Sequence, residues 1–269
     1  MTDAERERVA MFYAETYDDS VQDWPGEIDY YTDVAAQMRV SPASILELGC
    51  GTGRVLMRLA ANAGSAVGLD SSPQMLEVAR RKSTGLNNVR WIEGDMRAFD
   101  LGEEFGLVLI PGHAFQHLNT VDDQLRCLQC VRRHLLPNGR LLVHVDHQDI
   151  AWLAGITGRE AGQFEARGRF TRSQNGHEIQ SYRAWSYEPS SQTAVSEARW
   201  EELDADGEVV DAWQTARVRL HCVFRFEMEH LLARAGFAVE ALYGDFHRGP
   251  LADDSSDMIW VASRAAAPG

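Results

Sequence analysis

Apolar residues along the chain follow two alternating patterns, short apolar runs and longer stretches with helical spacing. Between residues 45 and 145 the short runs alternate with helical stretches, which predicts parallel strands joined by helices. The predicted strands, including two near the C-terminus, are 45–48, 66–69, 89–92, 107–110, 140–145, 238–243 and 258–262. The predicted helices are 5–18, 26–39, 55–63, 73–81, 121–134 and 226–235. The pattern favours an α/β fold with a doubly wound, mostly parallel seven-stranded sheet.

Between residues 168 and 220 the apolar positions change to a period of two. The stretches 178–187, 194–203 and 213–220 alternate in this way, and turn-forming residues separate them. This segment therefore predicts an antiparallel β cap inserted into the α/β domain. The predicted organisation is an N-terminal helical lid at 1–40, an α/β domain at 41–167 and 221–269, and the inserted cap at 168–220.

Composition narrows the range of partners. The net charge is −14, from 40 acidic and 26 basic residues, and such a protein repels phosphate backbones, so we expect no nucleic-acid partner. No apolar run reaches the roughly 18–20 residues of a transmembrane helix, and the polar N-terminus does not look like a secretory signal. We therefore expect a cytoplasmic protein with no membrane partner. Cys127 and Cys130 form a C-x-x-C pair, but they lie in an amphipathic stretch without a second pair, which favours core cysteines over a zinc site.

A glycine-rich segment follows the first predicted strand, where open α/β sheets bind ligands. Residues 47–53 read Glu-Leu-Gly-Cys-Gly-Thr-Gly, a G-x-G-x-G spacing that differs from the G-x-G-x-x-G of dinucleotide-binding loops. Asp70 ends the second strand, seventeen residues after Gly53, where a carboxylate can accept both ribose hydroxyls. A turn that merely joins strand to helix is the alternative, but it does not account for Asp70 and Asp95 both lying at strand ends.

These residues resemble the class I S-adenosylmethionine-dependent methyltransferase family. Residues 47–53 are similar to its first motif, 68–76 to its second, 93–96 to its third, and 136–140 to the turn before its fifth strand. The resemblance covers residues 40–147 strongly and 222–263 more weakly. One departure is Gly106, where the family often has an acidic residue before the fourth strand. The resemblance implies a Rossmann-like methyltransferase fold and S-adenosyl-L-methionine as cofactor.

The same resemblance implies roles for individual residues. Asp70 is expected to bind the ribose, and Asp95 with Met96 the adenine. An aromatic residue of the N-terminal lid, with Tyr17 as the choice, is expected at the methionine end, although ordinary packing explains each lid aromatic equally well. The expected cofactor-binding residues are Glu47, Gly49, Cys50, Gly51, Gly53, Asp70, Ser71, Met75, Asp95, Met96 and Tyr17.

Residues after the fourth strand are expected to face the methyl acceptor. His113 and His117 are four positions apart, which on a helical turn puts both on one side, and a histidine pKa suits a base for an amine or hydroxyl proton. They are the candidate catalytic residues, with packing of the next helix as the alternative. His144, Asp146 and His147 cluster at the end of the fifth strand. We expect them to form hydrogen bonds and expect no metal, because Pro111-Gly112 supplies no carboxylate beside them.

The sequence therefore predicts an enzyme of class EC 2.1.1.- that methylates nitrogen or oxygen of a small molecule. The absence of an Asn/Asp-Pro-Pro-Tyr/Phe signature and of a Pro-Cys nucleophile after the fourth strand favours a small-molecule acceptor. The cap followed by residues 224–228 is similar to bacterial amino-sugar N,N-dimethyltransferases. The alternative is a non-catalytic cofactor-binding or regulatory protein of the same fold, and the glycine spacing disfavours a nicotinamide oxidoreductase. Whether the chain is a monomer or a homodimer stays open.

Overall fold

The computed structural model describes residues 1–37, 44–61, 63–160 and 162–266. The chain falls into two compact units, one made of Met1–Gln22 with Asp149–Cys222 and the other of Asp23–Gln148 with Val223–Gly269. This division joins the first helix to the inserted segment, a grouping that the sequence did not suggest. The lid role of the N-terminal residues stays a prediction. Within the described ranges, no helix is long and apolar enough to cross a membrane.

The described residues form the following strands and α-helices, numbered in chain order. The strands are β1 Ser44–Leu48, β2 Ser65–Asp70, β3 Val89–Glu93, β4 Phe105–Ile110, β5 Leu135–Asp146, β6 Glu165–Thr171, β7 Glu178–Glu188, β8 Thr193–Leu203, β9 Val209–Gln214, β10 Val218–His221, β11 Phe237–Tyr243 and β12 Asp257–Arg264. The helices are α1 Asp3–Ser20, α2 Glu27–Gln37, α3 Leu56–Ala60, α4 Pro73–Lys82, α5 Val121–His134, α6 Ile150–Ile156 and α7 Arg225–Arg234.

The larger unit is built on the predicted sheet of seven strands. Their order is β11-β12-β5-β4-β1-β2-β3. Strands β1 to β5 are parallel, whereas β12 runs antiparallel to β5 and β11 antiparallel to β12. Successive residues of β4 enter two separate apolar clusters, Leu107 and Leu109 in one and Val108 and Ile110 in the other. The sheet is thus covered on both faces, which explains why its strands are continuous apolar runs, and the predicted doubly wound sheet is confirmed.

Several predicted boundaries in this unit differ from the structure. The turn expected at residues 136–139 belongs to β5, which begins at Leu135. A side chain at Gly139 would lie 3.0 Å from the carbonyl oxygen of Gly106, so this glycine permits close pairing with β4. The helix expected at 55–63 is the shorter α3. Residues 38 and 39 of the helix expected at 26–39, and residue 62, lie outside the described residues.

The smaller unit contains the antiparallel sheet that the alternating pattern predicted. Its strand order is β10-β8-β7-β6, and β9 also pairs with β8. The stretch expected as one strand at 213–220 is two short strands, β9 and β10, and neither α6 nor β6 was expected. Helix α1 packs on this sheet through Phe12, whose ring stacks on Trp213 at 3.8 Å between centroids and also contacts Trp200. These tryptophans therefore belong to the core of the smaller unit.

Candidate functional site

The carboxyl ends of the parallel strands bring the predicted site residues of the larger unit to one edge of the sheet. Strand β12 runs the opposite way, so its first residue, Asp257, lies at the same edge and pairs in register with Asp146 at the end of β5. The residues that follow β1, β2, β3 and β4 are residues 49–53, 71–72, 94–96 and 111–117. This edge is therefore the place to look for a ligand site.

The glycine loop after β1 has a conformation that only glycine adopts readily. Gly49, Gly51 and Gly53 have φ values of 67°, 52° and 75°, in the left-handed region. The backbone N–H groups of Gly49 and Cys50 both donate to the carbonyl of Leu69, at 2.8 and 3.2 Å, which fixes the loop against β2. The predicted sharp turn is thus present, and it is tied to the strand that carries Asp70.

The three glycines do not share one role. A Cβ at Gly53 would lie 2.4 Å from the ring of Trp91, and one at Gly49 would lie 2.6 Å from Ala114 Cβ. At Gly51 the nearest atom would be the sulfur of Met75, 3.9 Å away. Gly49 and Gly53 are therefore required for packing within the protein, whereas Gly51 has space beside it for a ligand.

Asp70 connects this loop to helix α4. Its carboxylate accepts hydrogen bonds from the backbone N–H of Gly51 and of Ser72, both at 2.8 Å. Ser72 in turn caps α4, because its hydroxyl accepts from the backbone N–H of Met75 at 3.3 Å. Asp70 is only half-buried, so the carboxylate is held in place while part of it stays accessible. Ser71 lies beside it and is exposed.

Asp95 and Met96 follow β3, as predicted. The Asp95 carboxylate accepts from the backbone and the guanidinium of Arg97, at distances between 2.5 and 2.9 Å, and these bonds lower the pKa of Asp95. Met96 is half-buried against the core, with its Cε 3.5 Å from where a Cβ at Gly49 would lie. An adenine role for Asp95 requires the ligand to share this carboxylate with Arg97, and that role stays a prediction.

The side chains of Glu47 and Cys50 are buried, whereas a residue in direct contact with a ligand is expected to have an exposed surface. Both side chains are buried, and burial raises the pKa of the Glu47 carboxyl well above its usual value and that of the Cys50 thiol likewise. Glu47 Oε2 has no hydrogen-bond partner. The cofactor contacts expected of these residues, and of Tyr17 in the smaller unit, stay predictions.

Arg54, immediately after the loop, ties helix α2 to it. Its two terminal nitrogens donate to both carboxylate oxygens of Glu27, at 2.7 and 3.1 Å, and it also pairs with Asp23. Glu27 is fully buried. Desolvation lowers the pKa of Arg54, but the bonds to Glu27 and Asp23 outweigh it and raise that pKa, so the guanidinium stays charged.

A cluster of histidines and carboxylates lies at the end of β5. His144 Nε2 donates to Asp257 Oδ1 at 2.7 Å, and His113 Nε2 lies 3.3 Å from Asp146 Oδ1 and 3.8 Å from Asp257 Oδ1. The two imidazole rings are 4.5 Å apart between centroids. Desolvation raises the pKa of Asp257, but the neighbouring His113, His144 and Ser256 outweigh it and hold that pKa well below its usual value. Of the three residues predicted to cluster at the end of β5, His144 and Asp146 lie in this cluster with His113 and Asp257, and His147 does not.

Two further residues support this cluster. The ring of Trp24 lies edge-on to both His113 and His144, with centroids 5.1 and 5.0 Å away. Gln116 makes two hydrogen bonds with Asp146, donating to its Oδ2 at 3.0 Å and accepting from its backbone N–H at 3.1 Å. The sequence did not single out Gln116 or Asp257. A signal for Asp257 was available, because it directly precedes the last apolar run of the chain.

The helical turn expected across His113 and His117 has a different form. Residues Ala114–His117 form a 3₁₀ turn, and His113 lies outside it with φ 66°. Such a conformation is strained for a residue other than glycine and is typical of functional sites. His117 is accessible, yet the protein around it desolvates the imidazole and lowers its pKa, an effect that the charge of Asp70 opposes. His147 donates to the carbonyl of Ser255 at 2.9 Å and is used in packing.

Comparison with known proteins agrees with this geometry. Residues 45–139 match a family described as methyltransferase domain. An N,N-dimethyltransferase of dTDP-4-amino-2,3,4,6-tetradeoxy-D-glucose from Saccharopolyspora spinosa is 33% identical over 118 residues, which are 44% of this chain and 46% of that protein. An N,N-dimethyltransferase of dTDP-3-amino-3,6-dideoxy-alpha-D-glucopyranose from Streptomyces fradiae is 37% identical over 121 residues, 43% of this chain and 46% of that protein. The chain thus spans about half the length of these curated relatives.

Solved structures match over nearly the whole chain. The CcbJ methyltransferase from Streptomyces caelestis has a TM-score of 0.73 with 25% identity, covering 94% of this chain and 96% of that one. CalS10 from Micromonospora echinaspora, an amino pentose methyltransferase solved with S-adenosylmethionine bound, has a TM-score of 0.70 with 24% identity, covering 94% and 97%. At 24% identity, the likeness to CalS10 shows a shared fold.

Proposed function

We propose that the chain transfers a methyl group from S-adenosylmethionine to a nitrogen or oxygen atom of a small molecule, a proposal that the match of residues 45–139 to the methyltransferase-domain family supports. The observation that carries the proposal is the pairing of Asp70 with the glycine loop. The carboxylate is fixed by two backbone N–H groups, and one of these belongs to Gly51, the glycine with space beside it. An anionic group held beside an open glycine fits a ribose that presents two hydroxyls.

The residues present fit this cofactor. Asp70 would accept the ribose hydroxyls, Gly51 would allow close approach of the backbone, and the side chains of Met75 and Met96 supply apolar surface on either side of the loop. Asp95 would share its carboxylate with the adenine amino group. When bound, the cofactor supplies an electrophilic methyl group on a sulfonium. The protein has to align an acceptor with that methyl group and take up the proton that the acceptor loses.

His117 is the better of the two candidate bases. Its lowered pKa keeps the imidazole neutral, and thus able to accept a proton, at neutral pH. It is exposed, and the charge of Asp70 acts on its pKa, which supports a role on the cofactor side of the site. His113 is instead paired with Asp146 and lies near Asp257. We therefore propose His117 as the general base and His113 as part of the neighbouring cluster.

We propose an amine as the acceptor, presented by an amino sugar. Asp146 has an accessible carboxylate, with 45% of its side chain exposed, which can accept hydrogen bonds from an amine. The two curated relatives are N,N-dimethyltransferases of nucleotide-linked amino sugars, which supports the same substrate class. His117 would then take the proton that the nitrogen loses on methylation.

Calorimetry with S-adenosylhomocysteine tests cofactor binding. Asp70→Ala removes the acceptor of two backbone N–H groups and of the proposed ribose bonds, and each bond to a charged group contributes about 1.5–3 kcal/mol. We expect affinity to fall by at least about 100-fold. Asp122→Ala, a change at an exposed aspartate of α5, should bind like the wild type. Equal affinity of the two variants, or no binding by the wild type, would remove the proposal.

A panel of amino sugars, simple amines and phenols then tests the reaction, with methylated products identified by mass spectrometry. Methylation of amino sugars in preference to phenols supports the amine assignment. Cofactor binding without turnover of any acceptor would favour the non-catalytic alternative.

A further inference from the structure

We propose that His113, His144 and Asp257 form a binding site for a divalent transition-metal ion of the Zn²⁺ type. Each residue offers one ligand atom, and the three atoms all lie within 4.8 Å of one another. The cluster draws on three separate parts of the larger unit, the segment after β4, the end of β5 and the start of β12. Neither the methyltransferase assignment nor the proposed base requires it.

Two of the three distances between ligand atoms are close to those of a metal centre, and the third is within 4.8 Å. With metal–ligand bonds of about 2.0–2.1 Å, tetrahedral ligands lie roughly 3.3 Å apart. His144 Nε2 and Asp257 Oδ1 are 2.7 Å apart, and His113 Nε2 and Asp257 Oδ1 are 3.8 Å apart. The first distance needs to open, and the second to close, by only about half an ångström. His144 can carry its proton on Nδ1, which leaves Nε2 for the metal.

The donor set and its charge suit such an ion. Two imidazoles and a carboxylate are ligands that Zn²⁺ and related ions accept. The Asp257 carboxylate would offset part of the double charge of the ion. The Nε2 atom of His113 is buried and lacks a hydrogen-bond partner, a deficit that a bound metal would remove.

The surroundings orient the ligands. Ser256 donates to Asp257 Oδ2, which leaves Oδ1 directed to the two histidines. Gln116 holds Asp146 from the other side. The Trp24 ring packs edge-on against both imidazoles. Hydrogen bonds to the ligands and apolar neighbours are the features that support metal sites.

The absence of a carboxylate after the fourth strand was the reason that no metal was expected here. Asp257 supplies that carboxylate from β12 instead. That prediction considered only the fourth strand, because the sequence does not show that β12 begins at this edge.

Titration of the chelator-treated protein with Zn²⁺ tests the proposal. Calorimetry should show one saturable site, and Co²⁺ should give the intense visible absorption of a tetrahedral N/O complex. In His113→Gln and Asp257→Asn we expect the affinity to fall by more than about 100-fold, since loss of a supporting residue alone costs 10–100-fold. His230→Gln makes the same substitution at an exposed histidine of α7 and should keep full affinity.

Two results would overturn the proposal. One is a wild-type protein without a saturable site for either ion. The other is equal Zn²⁺ affinity in His113→Gln and His230→Gln, which would identify binding elsewhere on the surface. A Zn²⁺-dependent rise in melting temperature, present in the wild type and absent in His113→Gln, checks binding even if Asp257→Asn folds poorly. None of these readouts uses methyl transfer, so failure of this site and failure of the proposed enzyme activity are separate outcomes.

Discussion

Replacement of Arg54 by methionine should destabilise the larger unit strongly. Arg54 bonds both oxygens of Glu27, a carboxylate with no exposed surface, and its charge also opposes the raised pKa of the buried Glu47. Methionine keeps much of the apolar stem but leaves Glu27 as a buried charge without a partner. Loss of one member of a buried ion pair typically costs about 3–5 kcal/mol, which is the decrease that we expect in the free energy of unfolding.

A double-mutant cycle separates this effect from lost packing. In Arg54→Met/Glu27→Gln the unpaired charge is gone, so the double variant should be more stable than the sum of the two single changes predicts, by about 1–3 kcal/mol. Arg58→Met is the matched control, because Arg58 is half-exposed and pairs with Asp23 at the surface. Such a pair contributes about 0–1 kcal/mol.

Urea unfolding followed by circular dichroism and tryptophan fluorescence provides the measurement. A comparison of the two signals shows whether the two units unfold together, and the decrease is assigned to the transition that Arg54→Met shifts. The reasoning fails if Arg54→Met costs no more than Arg58→Met. It also fails if the two substitutions at the pair are additive, because the buried charge would then have no cost of its own.

Three further outcomes are expected from the same structure. Gly51→Ala should fold, with a left-handed strain of about 1–2 kcal/mol, yet lose S-adenosylhomocysteine binding in calorimetry, whereas Gly53→Ala should unfold at lower urea because its Cβ meets Trp91. The rate of methyl transfer should fall as the pH is lowered through the pKa of His117, which lies below about 6.5. His117→Gln should remove this pH dependence and slow turnover by about 100-fold or more. Phe12→Ala should cost about 3–5 kcal/mol and reduce hydrogen-exchange protection in α1 and its sheet before it does so in the seven-stranded sheet.

The elements predicted correctly are those whose buried residues recur at regular intervals along the sequence. The central strands are continuous apolar runs because helices cover both faces of the sheet, and β8 alternates from Ser196 to Glu202, where one of its sides is more exposed. Strand β6 was missed because nearly all its residues are exposed, so no alternation marks it. Helix α6 was missed because it has only seven residues, fewer than two full turns.

That the glycine loop and Asp70 lie together was predictable because they follow neighbouring parallel strands within one continuous segment. What the sequence did not show was the difference between Gly51, which has space beside it, and Gly53, which packs on Trp91. That difference depends on the indole of Trp91, and this residue lies on another strand. Spacing along the chain identifies a glycine loop, but the neighbours across the sheet decide which glycine can meet a ligand.

The histidine–carboxylate cluster was only half predictable, and sheet register explains why. Residues two apart on a strand share a face, so the sequence already places His144 and Asp146 together. Residues directly paired across two strands also share a face, and Asp257 is paired with Asp146. Asp257 is therefore diagonal to His144 on the same face, which allows the observed 2.7 Å hydrogen bond between His144 Nε2 and Asp257 Oδ1. Its position follows once β12 is known to run antiparallel to β5. In a sheet of this kind, residues that precede the reversed strand belong in the search for a site together with those that follow the parallel strands.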